Sequence, residues 1–546
     1  MIISGGPIYT SNELTPTAEA VAVADGRIVF VGSMQEAQAF QGEQTKQVDL
    51  NGNTLLPGFI ESHGHLYNFG YSMVQLDLRP CKSYEEVLEK VANATEKMEP
   101  GQWITGRGWH EGKWDSLPSD QHNGFPTHER LSQVSPFHPV MLTRAGGHAG
   151  LMNARAFEVA GLTPQNIEEK LLEMEGGNID RYPDGQFTGI IHDNAKEWMK
   201  QHMEKVDSPS EVAGVMRLAI RASQAAGVTS FHDAGITARE YEGYQYLLHQ
   251  GDLGLRMHAM LYAMDSAFIE SWYQRGPIVD TTNYLFSVRA IKLHADGALG
   301  NRGAWLLESY TDHPGHFGLE TTSMDYVETT AKKALENGFQ LCVHAIGDRA
   351  NREVLDRYEN AFQGYDGDAS AARFRIEHAQ HLTAEDIPRF AELGVIASMQ
   401  GIHMSSDRPW AIDRLGEERI LEGAYVWQKL LQSGARVING TDVPVEPINP
   451  LACFYASVTR KTLQGMPEGG YEADQKMSRQ EALRSYTLDA AYGSFEESIK
   501  GSIEVGKLAD FVILNQDIMT IPEDDILSTR VVQTILGGET VYVNNQ

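Results

Sequence analysis

Six residues of this chain are of types that bind metal ions or move protons. His63 and His65 lie one residue apart in LLPGFIESHGHLYNFG (55–70). Lys292 falls in AIKLHADG, His344 in LCVHAIGD, His378 in RIEHAQ and Asp442 in INGTD. The histidine pair alone carries no weight, because 19 histidines in 546 residues give roughly 0.7 such pairs by chance. The set of six does carry weight. Four imidazoles and a carboxylate suit a divalent ion such as zinc. Water bound to such an ion loses a proton near neutral pH and becomes a nucleophile. Asp442 has the chemistry to ligate the ion, take that proton and return it to a leaving group. Lys292 is the unusual member. A lysine buried beside cations is disfavoured as an ammonium, so its amine is expected to be neutral and nucleophilic. Such an amine takes up carbon dioxide as a carbamate, an anionic oxygen donor able to bridge two metals.

These residues act together only if the fold gathers them. Seven short apolar runs alternate with helix-length stretches: GVTSFHDAG (227–235), GLRMHAMLY (254–262), SVRAIKLHADG (287–297), GFQLCVHAIGD (338–348), RFRIEHAQH (373–381), GVIASMQ (394–400) and ARVINGTD (435–442). TLLPGFIESHGH makes an eighth. Strands alternating with helices imply a parallel sheet with crossover helices, and eight units imply a closed (β/α)₈ TIM barrel. His63 and His65, at i and i+2 of a strand, then point the same way. All six residues fall at or near the C-terminal ends of barrel strands, where such barrels collect their catalytic groups. In SPSEVAGVMRLAIRASQAAG the expected helix starts at a Ser208 or Ser210 cap and stops at Gly227.

About 160 residues separate the first strand from the second, far more than an ordinary connection. An inserted subdomain at about 70–205 is therefore expected, emerging over the mouth of the site. Its Trp109, His110 and Trp114 are candidates for a hydrophobic lid or for the insertion's own core. Both chain ends read as strands and tight turns, with Asp25-Gly26 a hairpin signal. Pairing them removes open edges. The expected domains are thus 1–57 and 496–546, joined in a small β-sandwich, and a barrel over 58–495.

Composition bounds the function. Hydrophobic residues make up 42% and charged residues 22%, which fits a large globular core. No apolar run is long enough for a membrane span, and MIISGGPIYTSNELTP lacks the features of a secretory signal. A net charge of -29 repels nucleic acid and anionic membranes. Three scattered cysteines, Cys81, Cys342 and Cys453, give no disulfide framework. A cytoplasmic setting is expected.

The ordered set His63-Gly64-His65, Lys292, His344, His378 and Asp442 resembles the ligand set of the amidohydrolase superfamily. LLPGFIESHGH, IKLHADGALG, VHAIGDRAN, GTDVPVEPINP, YTLDAAYGSFEE and KGSIEVGKLADFVIL resemble its amidohydrolase-3, YtcJ-like branch, which includes N-substituted formamide deformylases. The resemblance implies a barrel beside a β-sandwich and a centre of one or two zinc ions. His63, His65 and Asp442 would hold the more buried ion. His344 and His378 would hold the second, bridged by Lys292 as N6-carboxylysine. It further implies hydrolysis of a C–N bond in a small molecule, an amide, N-acyl, N-formyl or cyclic amide, and the family habit is a homodimer. Deamination, or ester or lactone hydrolysis, would use the same centre. A retired binding or regulatory protein is a reading of another class, and the intact ligand set argues against it.

Four more residues are candidate substrate contacts: His148 in RAGGHAGLMNARA, Asp296 and Arg302 in the Gly-rich loop after the fourth strand, and His403 after the seventh. His232, His258 and His294 are read as structural. In FTGIIHDNAKEW the segment His192-Asp193-Asn194-Ala195 departs from the family pattern of an acidic residue before the alanine.

Overall fold

The computed structural model describes residues 1–145, 149–174, 177–203 and 208–544. They fall into two compact units, Met1–Phe69 with Val212–Gln546, and Gly70–Glu211.

The first unit is built on eight parallel strands in sequence order: β1 (Phe59–Gly64), β2 (Val228–Ile236), β3 (Arg256–Tyr262), β4 (Phe286–His294), β5 (Gln340–Ala345), β6 (Arg375–His378), β7 (Ile396–Met399) and β8 (Val437–Asn439). Most are buried on both faces, β2 and β4 almost throughout, as expected where helices cover a parallel sheet. The helix Asp348–Gln363 shows why: Ala350, Val354, Leu355, Tyr358 and Ala361 form one buried stripe at helical spacing. β1 and the segment after β8 bring the sheet close to a barrel. Asp442 N–H donates to the His63 carbonyl at 2.8 Å, and His65 N–H donates to the Val443 carbonyl at 2.8 Å. The eight sequence runs all become strands. The last ends at Asn439: beyond it Thr441 N–H turns to the Glu61 side chain and Asp442 takes φ 59°, in the left-handed region.

The two chain ends share one hydrogen-bonded sheet. Its order is Glu539–Val543, Val531–Leu536, Phe511–Leu514, Thr54–Pro57, Ile2–Tyr9, Thr17–Ala24 and Arg27–Gly32, with Gln47–Asp49 also on Ile2–Tyr9. Phe511–Leu514 runs antiparallel to Thr54–Pro57 and so joins the two ends. Ile3, Ile8, Val21, Leu55, Phe511 and Ile513 pack beneath it. The Asp25-Gly26 hairpin forms as expected, with Ala24 opposite Arg27 and φ of 50° and 73° at its two turn residues. The buried Arg256–Asp510 ion pair ties this sheet to β3.

The second unit has a six-stranded sheet of its own. Trp109 and Trp114 lie with Tyr84, Leu131 and Leu142 in its hydrophobic core, and Trp109 Nε1 donates to the Leu142 carbonyl at 2.8 Å. These aromatics belong to the insertion's own packing. The expected helix forms as Pro209–Ala225, with Ser208 Oγ accepting from Glu211 N–H. Among the described residues no helix is long and apolar enough to cross a membrane.

Candidate metal centre

Barrel register gathers the sequence candidates. Lys292 and His294 share a face of β4, and His294 stands beside His344 of β5. Ala345 of β5 in turn stands beside His378 of β6. The His344 and His378 rings are 4.4 Å apart, His378 and His63 4.8 Å, and His63 and His65 5.6 Å. Asp442 Oδ1 lies 3.3 Å from His65 Nε2 and 3.7 Å from His63 Nε2. His63, His65 and Asp442 present ligand atoms all within 4.8 Å of one another, and so do His378, His403 and Asp442.

Five buried polar atoms here have no hydrogen-bond partner: His63 Nε2, His344 Nε2, His403 Nε2, Lys292 Nζ and Asp442 Oδ1. Leaving one such group unpaired costs on the order of 1–3 kcal/mol, so five in one place call for a common partner. Imidazole nitrogens and carboxylate oxygens are the donor set of zinc, and the residues present fit such an ion.

Outer contacts aim the donors. His63 Nδ1 donates to Glu377 Oε2 at 2.5 Å, which leaves Nε2 for a ligand role. Arg375, fully buried, holds Glu377 through Nη2 at 3.0 Å and Nε at 2.7 Å, and also reaches the Ser62 carbonyl and Ser398 Oγ. His378 Nδ1 donates to Gln400 Oε1 at 2.7 Å. Glu61 Oε1 accepts from Thr441 N–H at 2.7 Å and His63 N–H at 3.2 Å, and Oε2 from Thr441 Oγ1 at 2.8 Å. Glu61 thereby clasps β1 to the segment that carries Asp442.

The electrostatics follow from burial. Burial, then the charge of Lys292, pushes His63 down to about 4, and burial pushes the Lys292 amine down. Burial pushes Glu61 up to about 8. Burial alone would raise the Asp442 carboxyl, but the close approach of His65 and the charges of His63 and His403 outweigh it and hold the group below the usual range. Burial likewise opposes ionisation of Glu377, and the adjacent Arg375 guanidinium overrides it.

The weaker candidates divide. His403 joins the cluster, with Nε2 3.8 Å from Asp442 Oδ2. Asp296 lies beside it: Oδ1 is 3.3 Å from His344 Nε2, and the carboxylate accepts the backbone N–H groups of Ile346, Gly347 and Trp305. Arg302 pairs with Asp312 on an exposed loop. His148 lies outside the described residues. Within the second unit, His192 pairs with Asp180. His294, read from the sequence as structural, has its ring 5.2 Å from that of His344. His232 and His258 form a separate buried pair, 5.1 Å apart, touched by Arg375. A cavity of about 250 Å³ lies at the opposite end of β8, beside Arg436, Met477 and Asp489. The Arg436 guanidinium there is already paired with Asp489.

Glu61, Glu377 and Arg375 were not singled out in the sequence. The one available signal was adjacency to a candidate ligand, as in RIEHAQ. Strand alternation places Glu377 and His378 on opposite faces. Both reach the cluster because His378 leaves strand geometry at φ 76°.

Comparison with known proteins places the chain in a family. The model of the amidohydrolase family matches residues 46–542. The chain is 31% identical to Protein LONG AFTER FAR-RED 3 of Arabidopsis thaliana, over 99% of this chain and 91% of that protein. It is 30% identical to the putative amidohydrolase YtcJ of Bacillus subtilis, over 98% of each. It is 27% identical to the N-substituted formamide deformylase of Arthrobacter pascens, over 99% of this chain and 98% of the other. Among solved structures, an uncharacterized metal-dependent hydrolase from Pyrococcus horikoshii superposes with a TM-score of 0.79 at 26% identity, covering 96% of this chain and 98% of its own. With a family match over nearly the whole chain and relatives of similar length, the chain belongs to the amidohydrolase family of metal-dependent hydrolases.

Proposed function

We propose that this protein hydrolyses a C–N bond in a small molecule, R–CO–NH–R′ + H₂O giving R–COOH + H₂N–R′, at a zinc centre. The observation that carries this reading is the convergence of buried, unpartnered His63 Nε2, His344 Nε2, Lys292 Nζ and Asp442 Oδ1. His63, His65 and Asp442 would hold one ion. His344 and His378 would hold a second, bridged by Lys292 as N6-carboxylysine. Lys292 is suited to that modification because burial disfavours its ammonium. Its amine adds to carbon dioxide, R–NH₂ + CO₂ giving R–NH–COO⁻ + H⁺. Zinc, when bound, polarises a carbonyl and makes water a stronger acid.

The chain's own groups do the rest. The Asp442 carboxylate, held ionised, takes a proton and returns it to the leaving nitrogen. Glu377 keeps His63 in the Nδ1–H tautomer. His403 and Asp296, flanking the donors, are placed to contact substrate. The deformylase relative supports an N-acyl or N-formyl substrate. The terminal sheet serves as the family's small domain, over 1–57 and 496–546, and the second compact unit as the insertion in a barrel over 58–495. Three unpaired, buried cysteines support a reducing, cytoplasmic setting.

The test is a hydrolysis screen of N-formyl, N-acyl and cyclic amides with ester controls, before and after chelation. Amide cleavage lost on chelation and restored by zinc is expected. Activity indifferent to chelators, or confined to esters, sinks the reading.

A further inference from the structure

Asp442 turns its two oxygens toward different imidazoles. Oδ1 faces His65 and His63, at 3.3 and 3.7 Å, whereas Oδ2 faces His403 Nε2 at 3.8 Å. His378, His403 and Asp442 form a second three-donor group, every member buried. Three protein donors with a position left for a small molecule are the pattern of a catalytic zinc site.

Two further observations point to an ion here. His403 Nε2 is buried and lacks a hydrogen-bond partner. His378 gives its Nδ1–H to Gln400 Oε1 at 2.7 Å, the outer contact that fixes the tautomer of a ligand histidine and leaves Nε2 free to bind.

We propose that His378, His403 and Asp442 Oδ2 form an alternative seat for the second ion, one that needs no carboxylated lysine. The inference rests on the zinc-centre reading above and departs from it at one point. His378 has a single ring nitrogen left after Gln400, so it serves either the seat with Lys292 and His344 or the seat with His403, not both. Carboxylation of Lys292 then decides where the second ion sits rather than whether it binds.

The experiment uses the full chain, stripped with chelator and reloaded with Zn²⁺ or Co²⁺. Metal content per chain is read by mass spectrometry after desalting, and ligand change by Co²⁺ absorption and spin coupling. Lys292→Ala, which cannot form the carbamate, is expected to hold two ions. Lys292→Ala combined with His403→Ala is expected to hold one and to lose the spin coupling. Lys292→Met and His403→Gln, closer in shape, replace the alanine variants if circular dichroism shows those misfolded. One ion in the lysine variant whatever stands at 403, or two ions in the double variant, overturns the proposal while leaving the zinc-centre reading intact. A wild-type chain that binds no ion overturns both.

Discussion

His63 Nδ1 lies 2.5 Å from Glu377 Oε2, with the Arg375 guanidinium closing on the far side of the carboxylate. All three side chains are buried, at 1% exposure or less. An ionised carboxylate only accepts hydrogen bonds, so the imidazole must donate through Nδ1 and face the cluster with Nε2. Glu377→Gln weakens that direction without changing volume. Such outer contacts typically matter by about 10–100-fold in metal affinity. Zinc affinity measured by competition with a chelator is expected to fall by that order, with little change in the far-ultraviolet circular dichroism. Unchanged affinity would show that Glu377 serves packing alone.

Arg375→Met tests the other half of the pair. It leaves the Glu377 carboxylate buried against His63 with no cation. Removing one member of a buried ion pair costs about 3–5 kcal/mol. The denaturant midpoint is expected to fall strongly, and much further than for Glu377→Gln. Equal losses in the two variants would contradict the view that Arg375 compensates the charge of Glu377.

The eight strands and six candidate donors were legible because their signals are local: an apolar run, a helix-length spacer, and a polar residue at the run's end. Their partners were not. Glu61 reaches Thr441 across the closing seam of the sheet, 380 residues away in sequence, and no pattern within one strand predicts that seam. Glu377 looked excluded by alternation until His378 took φ 76°. The place of His294 was hidden for a related reason: it depends on register with His344, which a single strand does not carry.

Gly440 tests the seam. A Cβ at this position would lie 2.3 Å from Glu61 Oε1 and 2.7 Å from the His63 backbone nitrogen. Neither atom moves freely, since Glu61 is held by Thr441 and His63 by β1. Overpacking of this kind costs about 1–3 kcal/mol. Gly440→Ala is expected to lower the unfolding midpoint and to weaken zinc binding, because the displaced atoms position His63 and Asp442. A stable variant with normal zinc affinity would contradict this account of the seam.

Asp442→Asn keeps the size of the side chain and removes its charge and basicity. Loss of a positioned proton-transfer group lowers turnover by about 10²–10⁴-fold. Once a substrate is found, kcat is expected to fall by at least that range while the thermal midpoint stays near that of the wild type. Near-normal kcat would remove Asp442 from proton transfer.

Asp510 tests the link between the chain ends and the barrel. Its carboxylate accepts from Arg256 Nε at 2.6 Å and Nη2 at 2.8 Å, and from Gly537 N–H at 2.8 Å. Asp510→Asn leaves the buried Arg256 guanidinium without a counter-charge, again a loss of about 3–5 kcal/mol. Arg256 Nη1 retains the Asn283 and Tyr284 carbonyls, so the variant is expected to fold but with a lower denaturant midpoint. Hydrogen exchange should rise first along Phe511–Leu514 and Thr54–Pro57, the strands that join the two ends. Uniform exchange across the barrel, with no excess there, would show that the pair does not anchor the terminal sheet.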